Sequence, residues 1–169
     1  MALYLIPNGA AGTTAAPVAV TTGTAIKTML QIQPSATAIM RVVEWGISFN
    51  GFAAAAPGRC ELVETDVAAT VTAHVTAGIV KLDPAAFSGG DPVTNRIQVG
   101  TGATGYTATA EGSTTVARLL DLQFIPPTGQ YVKQFPLGRE PMVQMSKFLR
   151  VRVTFAAAID CYTYVIVEI

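Results

Sequence analysis

Apolar and polar residues alternate with a period of two along most of this chain. In residues 39–50, IMRVVEWGISFN, Val43, Trp45, Ile47 and Phe49 fall on one face, and Glu44, Gly46, Ser48 and Asn50 on the other. That is the pattern of a strand buried on one side, and it predicts Trp45 as a core anchor. Residues 26–33, IKTMLQIQ, alternate well enough for a strand that Pro34 and Ser35 end. In 59–65, Cys60 and Leu62 face one way and Glu61 the other. In 149–155, LRVRVTF, Leu149, Val151, Val153 and Phe155 oppose Arg150, Arg152 and Thr154, so the arginines are expected to meet carboxylates on an adjacent strand. Residues 116–125, 131–135, 142–145 and 161–168 read as further short strands, with brief ones near 79–82 and 96–99.

Elsewhere the periodicity lapses. Residues 2–24 are rich in Ala, Thr, Gly and Pro, which reads as an extended arm with one short strand around 18–20. In 66–78, DVAATVTAHVTAG, Asp66 can cap a short helical turn, although the Thr and Val content favours extended structure. Residues 84–92, PAAFSGGDP, and 100–112, GTGATGYTATAEG, read as loops. Eight to ten short strands without a long amphipathic helix predict an all-β chain. The expected architecture is an antiparallel β-sandwich or barrel, jelly-roll-like, with an extended N-terminal arm (1–24) and a single β-sandwich domain (25–169).

Composition changes the picture in one respect. Only 13% of residues are charged, 11 basic against 11 acidic, where globular domains carry roughly 25%. A neutral surface of small side chains lacks the repulsion that keeps proteins apart, and so suits packing against neighbours. The same balance offers no extended basic patch, so neither nucleic acid nor membrane is expected as a partner. The N-terminus has no basic n-region, and no run of about 18 apolar residues occurs, so neither a signal peptide nor a membrane span is expected.

Candidate chemistry is sparse. His74 is the one histidine and has no Ser or Cys motif beside it, so a loop or partly buried role is expected rather than catalysis. Cys60 and Cys161 lie in strand-like stretches and read as buried hydrophobes; their spacing carries no metal or redox motif. Carboxylates that could pair for acid–base work, Glu61 with Glu64 and Glu111 with Asp121, are more simply strand residues facing solvent. The glycines of 100–105, GTGATG, lack the strand–turn–helix setting of a phosphate loop. No cofactor, metal or catalytic residue is expected. Tyr131, Phe135, Tyr162 and Tyr164 keep open a different class, a carbohydrate or host-surface binding module.

Four segments carry a resemblance: RVVEWGISFNG, CELVETDVAATVTAHVTAG, EGSTTVARLLDLQFIPPTGQYVKQFPLGREP and FLRVRVTFAAAIDCYTYVIVE. From about residue 25 onward the chain resembles small structural proteins of tailed bacteriophage heads. The resemblance implies a capsid decoration (cement) or minor capsid protein, a homotrimer on the virion surface that binds the major capsid protein, made in the host bacterial cytoplasm and without an active site. Tail or fibre parts would share the same surface features. Two segments are the expected interfaces: the arm, with Leu3, Tyr4, Leu5, Ile6 and Pro7, and the loop 134–141, with Phe135, Pro136, Leu137 and Arg139.

Overall fold

A computed structural model describes residues 2–10, 18–52, 56–82 and 96–169. Among these, fourteen strands follow one another: β1 (Leu3–Pro7), β2 (Val20–Thr21), β3 (Lys27–Pro34), β4 (Met40–Asn50), β5 (Gly58–Thr65), β6 (Thr70–Ala73), β7 (Val80–Lys81), β8 (Ile97–Gln98), β9 (Gly105–Ala110), β10 (Ala117–Ile125), β11 (Gln130–Gln134), β12 (Met142–Val143), β13 (Phe148–Thr154) and β14 (Asp160–Glu168). They form two antiparallel sheets packed face to face, a β-sandwich rather than a closed barrel. Sheet A runs β11-β4-β14-β1-β7, with β12 beside β4 and β2 beside β14; sheet B runs β10-β5-β13-β3-β9-β6, with β8 beside β3. The β4–β5 arch pairs with the β13–β14 arch, β4 on β14 and β5 on β13. The core lies between the sheets, where Trp45, Leu62, Met29, Leu149, Val165 and Cys161 are fully buried. No helix among the described residues is long and apolar enough to cross a membrane.

Three sequence expectations are corrected here. First, Leu3–Pro7 is not part of an arm. β1 pairs with β14 along its whole length, from Leu3↔Glu168 to Pro7↔Tyr164, and with β7 on its other side. Tyr4 and Ile6 point into the core at 1% and 0% exposure. Five residues hold too few alternations for the period to stand out against the Ala- and Gly-rich stretch that follows. The strand expected around 18–20 appears as β2, while 11–17 of the expected arm and 84–92 of the expected loop lie outside the described residues.

Second, the face of β4 changes partway. Met40 and Val42 are buried, then Trp45, Ile47 and Phe49, with Val43 only half-buried. On β14 the register slips between Ile166, opposite Glu44, and Val167, opposite Val42. Val43 is therefore the extra residue of a β-bulge, and one extra residue moves the following side chains to the other face. Third, 66–78 and 100–112 carry more strand than expected. β6 and β9 form a pair there, and the helical turn shrinks to a 3-10 turn at Thr76–Gly78.

These two segments cover part of sheet B from outside. β9 leaves β3 after Leu30↔Tyr106 and Gln31↔Gly105, because Thr107 adopts a φ of 53°, unusual for a β-branched residue. Opposite the two steps from Thr70 to Thr72 on β6, β9 takes the four from Tyr106 to Ala110. The resulting cap has a small apolar centre of Ala69, Val71 and Ala108 and rests on the outward side chains of β3 and β13, fully buried Gln31 and Arg150.

Candidate interaction surfaces

Each carboxylate that could be read as catalytic is engaged by a cation or by hydrogen-bond donors of its own. Arg152, directly opposite Glu61 across β13 and β5, reaches its Oε1 at 2.6 Å, as the alternation of LRVRVTF predicts. Glu64 receives Arg118 Nη2 at 2.8 Å and the Gln144 amide at 3.1 Å. Glu111 accepts the Thr28 amide at 2.5 Å and hydroxyl at 2.6 Å, and Arg150 lies 3.4 Å away. Arg150 thus meets its carboxylate from the cap rather than from an adjacent strand, and donates to the Glu111 and Val67 carbonyls as well. Glu61 faces outward and Glu64 inward on β5, while Glu111 lies outside sheet B and Asp121 between the sheets, so neither proposed pair converges on one site.

Asp121 joins the two sheets along one side of the sandwich. Its Oδ2 accepts Trp45 Nε1 at 3.1 Å and the Tyr131 hydroxyl at 3.0 Å; its Oδ1 accepts Lys133 Nζ at 3.1 Å and the Leu122 amide at 3.0 Å. Burial alone would raise this carboxyl, but the donors from Lys133, Tyr131 and Gln123 outweigh it and hold the group below its ordinary value. Tyr131, bonded to that carboxylate, is pushed up to about 12, by burial first. Sequence reasoning read Asp121 as a solvent-facing strand residue. The signal that could have placed it is Tyr131 and Lys133 at alternating positions, both able to turn inward with one carboxylate.

Cys60 and Cys161 are free and buried. Burial, assisted by the charge of Glu61, pushes the Cys60 thiol up to about 12, and burial raises Cys161 as well, so neither is a thiolate at neutral pH. Among the described residues no group of three or more His, Cys, Asp or Glu is placed to hold a metal ion.

The expected interface residues divide. In β1, Tyr4, Ile6 and Pro7 are buried, and Leu5 is half-buried on the outer face of sheet A beside exposed Leu3. In 134–141, Phe135 packs partly against the core and its amide donates to Val43 O. Beyond it the chain turns tightly: Arg139 N donates to Pro136 O at 2.9 Å, and Gly138 has φ 80°, the third position of a type II turn. Leu137 at the turn's second position is 96% exposed, with Pro136 and Arg139 exposed beside it.

That turn lies on the side where β10 edges sheet B and β11 with β12 edges sheet A. Besides Asp121, the guanidinium of Arg118 on β10 bridges the edges by donating to Met142 O on β12. Leu119, Leu122 and Phe124 share the outward face of β10, and Phe124 is 70% exposed; Val132 and Met142 are exposed on β11 and β12. Val132 and Met142 point from the outer face of sheet A and the β10 residues from the outer face of sheet B. The row of large exposed apolar side chains is therefore the one on edge strand β10, and such a row marks an interaction surface.

The aromatic set also separates. Tyr131 faces inward against Trp45 with ring centroids 5.4 Å apart, whereas Tyr162 and Tyr164 share the outer face of sheet A, 6.4 Å apart. Tyr164 lies over Gly46, where a Cβ would come within 2.5 Å of its ring, and its hydroxyl donates to Glu44 at 2.6 Å.

Comparison with known proteins finds no matching family model, no matching curated protein and no matching solved structure.

Proposed function

We propose that the chain is a structural subunit that works by assembly, a capsid decoration protein of a tailed bacteriophage that binds the major capsid protein on the outer head surface. The virion setting comes from the sequence resemblance. The observation that carries the assembly reading is the row of exposed Leu119, Leu122 and Phe124 on the outer face of edge strand β10, with Leu137 projecting from a tight turn at 96% exposure. A side chain so exposed contributes nothing to the fold, and its burial against a partner is favourable by roughly 1.5–3 kcal/mol. The neutral surface, with 11 basic and 11 acidic residues, supports the same reading. Three copies around the 134–141 loop is the arrangement that the resemblance suggests.

The test is co-sedimentation of the purified chain with shells assembled from the same virus's major capsid protein. Binding is expected, with Leu137→Ser and Phe124→Ser each weakening it at least tenfold while unfolding within about 0.5 kcal/mol of the parent, as surface changes do. Absence of binding to intact shells would sink the capsid reading.

A second reading rests on Tyr162 and Tyr164. Two tyrosines on one open sheet face, with Glu44 and Ser48 in the neighbouring strand, form a surface on which a sugar ring can stack. Glycan-array binding that is lost in Tyr162→Ala, together with failure to bind shells, would favour it.

A further inference from the structure

His74 is a buried titratable group that neither the core nor the apolar row on β10 uses. It follows β6 in the cap and is 3% exposed. Its Nε2 lies 2.6 Å from the carbonyl oxygen of Pro7, so this nitrogen carries a proton and donates it to the end of β1 in sheet A. The ring packs edge-on against Tyr106 of β9, centroids 4.9 Å apart. Gly78 closes over the other nitrogen; a Cβ there would stand 2.8 Å from Nδ1. The His74 amide donates to Thr104 O within the cap. Beyond Pro7, Asn8 clamps β14 through Cys161 O and the Thr163 amide. One side chain thus ties the cap on sheet B to the central strands of sheet A.

We propose that His74 is an acid-released latch: the neutral ring holds the cap down, and a second proton on the ring frees the cap while the two sheets stay folded. That proton has to enter on Nδ1, in the space closed by Gly78. Of the titratable and charged side chains on the packed elements, Tyr106 faces the ring, and among the described residues no carboxylate pairs with it. A charge there is desolvated without a counter-ion, which is costly. Burial accordingly lowers the affinity of the closed state for the proton, the Pro7 carbonyl countering in part. Since the open cap binds the proton more readily, closure is fully favoured above about pH 6.5 and weakens as pH falls below it, by up to tenfold per unit for one proton.

The proposal goes beyond the assembly reading and does not rest on it. Its test is native-state hydrogen exchange of the full chain between pH 7.5 and 5, read as protection factors. Cap amides such as Val71 and His74 are expected to lose about tenfold or more in protection, with β4 and β14 amides and Trp45 fluorescence unchanged. His74→Gln, which keeps a donor for Pro7 O but cannot take the proton, is expected to flatten the cap's response. The sole histidine also gives a direct readout by NMR: its ring should titrate in the wild type over the range in which the cap opens. Cap protection independent of pH, loss in parallel with β4 and β14, or the same loss in His74→Gln would each overturn the latch.

Discussion

The layer between the two sheets and the layer outside sheet B contrast residue by residue. Between the sheets, Met29, Ile32, Trp45, Leu62, Leu149 and Val165 pack apolar surface on apolar surface. Outside, the cap's apolar cluster is limited to Ala69, Val71 and Ala108, and the cap is otherwise stitched down by polar contacts. Gln31 Nε2 donates to Ala103 O at 2.6 Å and its Oε1 accepts the Ala69 amide at 2.8 Å; Arg150 donates to Val67 O and Glu111 O. Apolar burial contributes about 25 cal/mol per Å² wherever it occurs, whereas a hydrogen bond exchanges with water for a net of about 1 kcal/mol. The cap is therefore the layer that opens first.

The largest effect is expected from removing residues 2–7, the part of the proposed arm that belongs to the core. The deletion takes Tyr4 and Ile6 out of the interior and leaves an edge of β14 unpaired. Circular dichroism and thermal melting should show loss of the cooperative transition. A truncated chain that melts like the parent would mean that β1 is dispensable and the boundary of the core is wrongly drawn.

Next in size is Asp121→Asn. It removes the charge that offsets Lys133 and one acceptor pattern shared by Trp45 and Tyr131, a loss of about 2–3 kcal/mol for a buried charge-assisted set. Because the folded carboxyl lies below its ordinary 3.8, its contribution is complete above that value and is lost as pH falls through the folded-state value. Urea denaturation followed by Trp45 fluorescence should show the parent weakening below pH 4, with the variant flatter over the same range.

The contrast between the layers also explains what could be read from the chain. Strands of the apolar layer announce themselves, since burial on one face writes a period of two into the sequence: 59–65 and 149–155 stand where alternation puts them, while 26–33 forms its strand with an extra residue at Met29, so that Met29 and Leu30 both enter the core. The bulge at Val43 escaped because an inserted residue changes phase without changing composition. The cap escaped because the side chains it covers are polar: Gln31 and Arg150 look like surface residues until Ala69, Ala103 and Val67 supply carbonyls and an amide that sequence spacing does not reveal. Of the proposed contact residues, Leu137 was legible because Pro136 and Gly138 define the turn that exposes it. Tyr4 and Ile6 were not, since a five-residue strand gives too little pattern to separate core from arm.

The smallest global effect, and the sharpest test of the contrast, is Arg150→Met. If the cap stayed shut, losing the buried guanidinium would strand the Val67 and Glu111 carbonyls and cost several kcal/mol. The cap can instead lift and let those groups meet water, so the cost cannot exceed the free energy of lifting it. Denaturation monitored at Trp45, in sheet A, should shift by less than about 2 kcal/mol, less than for Asp121→Asn. Hydrogen exchange should show protection falling in 66–78 and 99–112 and persisting in β4, β5, β13 and β14. Equal loss in all of these would show that cap and core unfold together, so that Arg150 belongs to the same cooperative unit as Trp45 despite the polar chemistry around it.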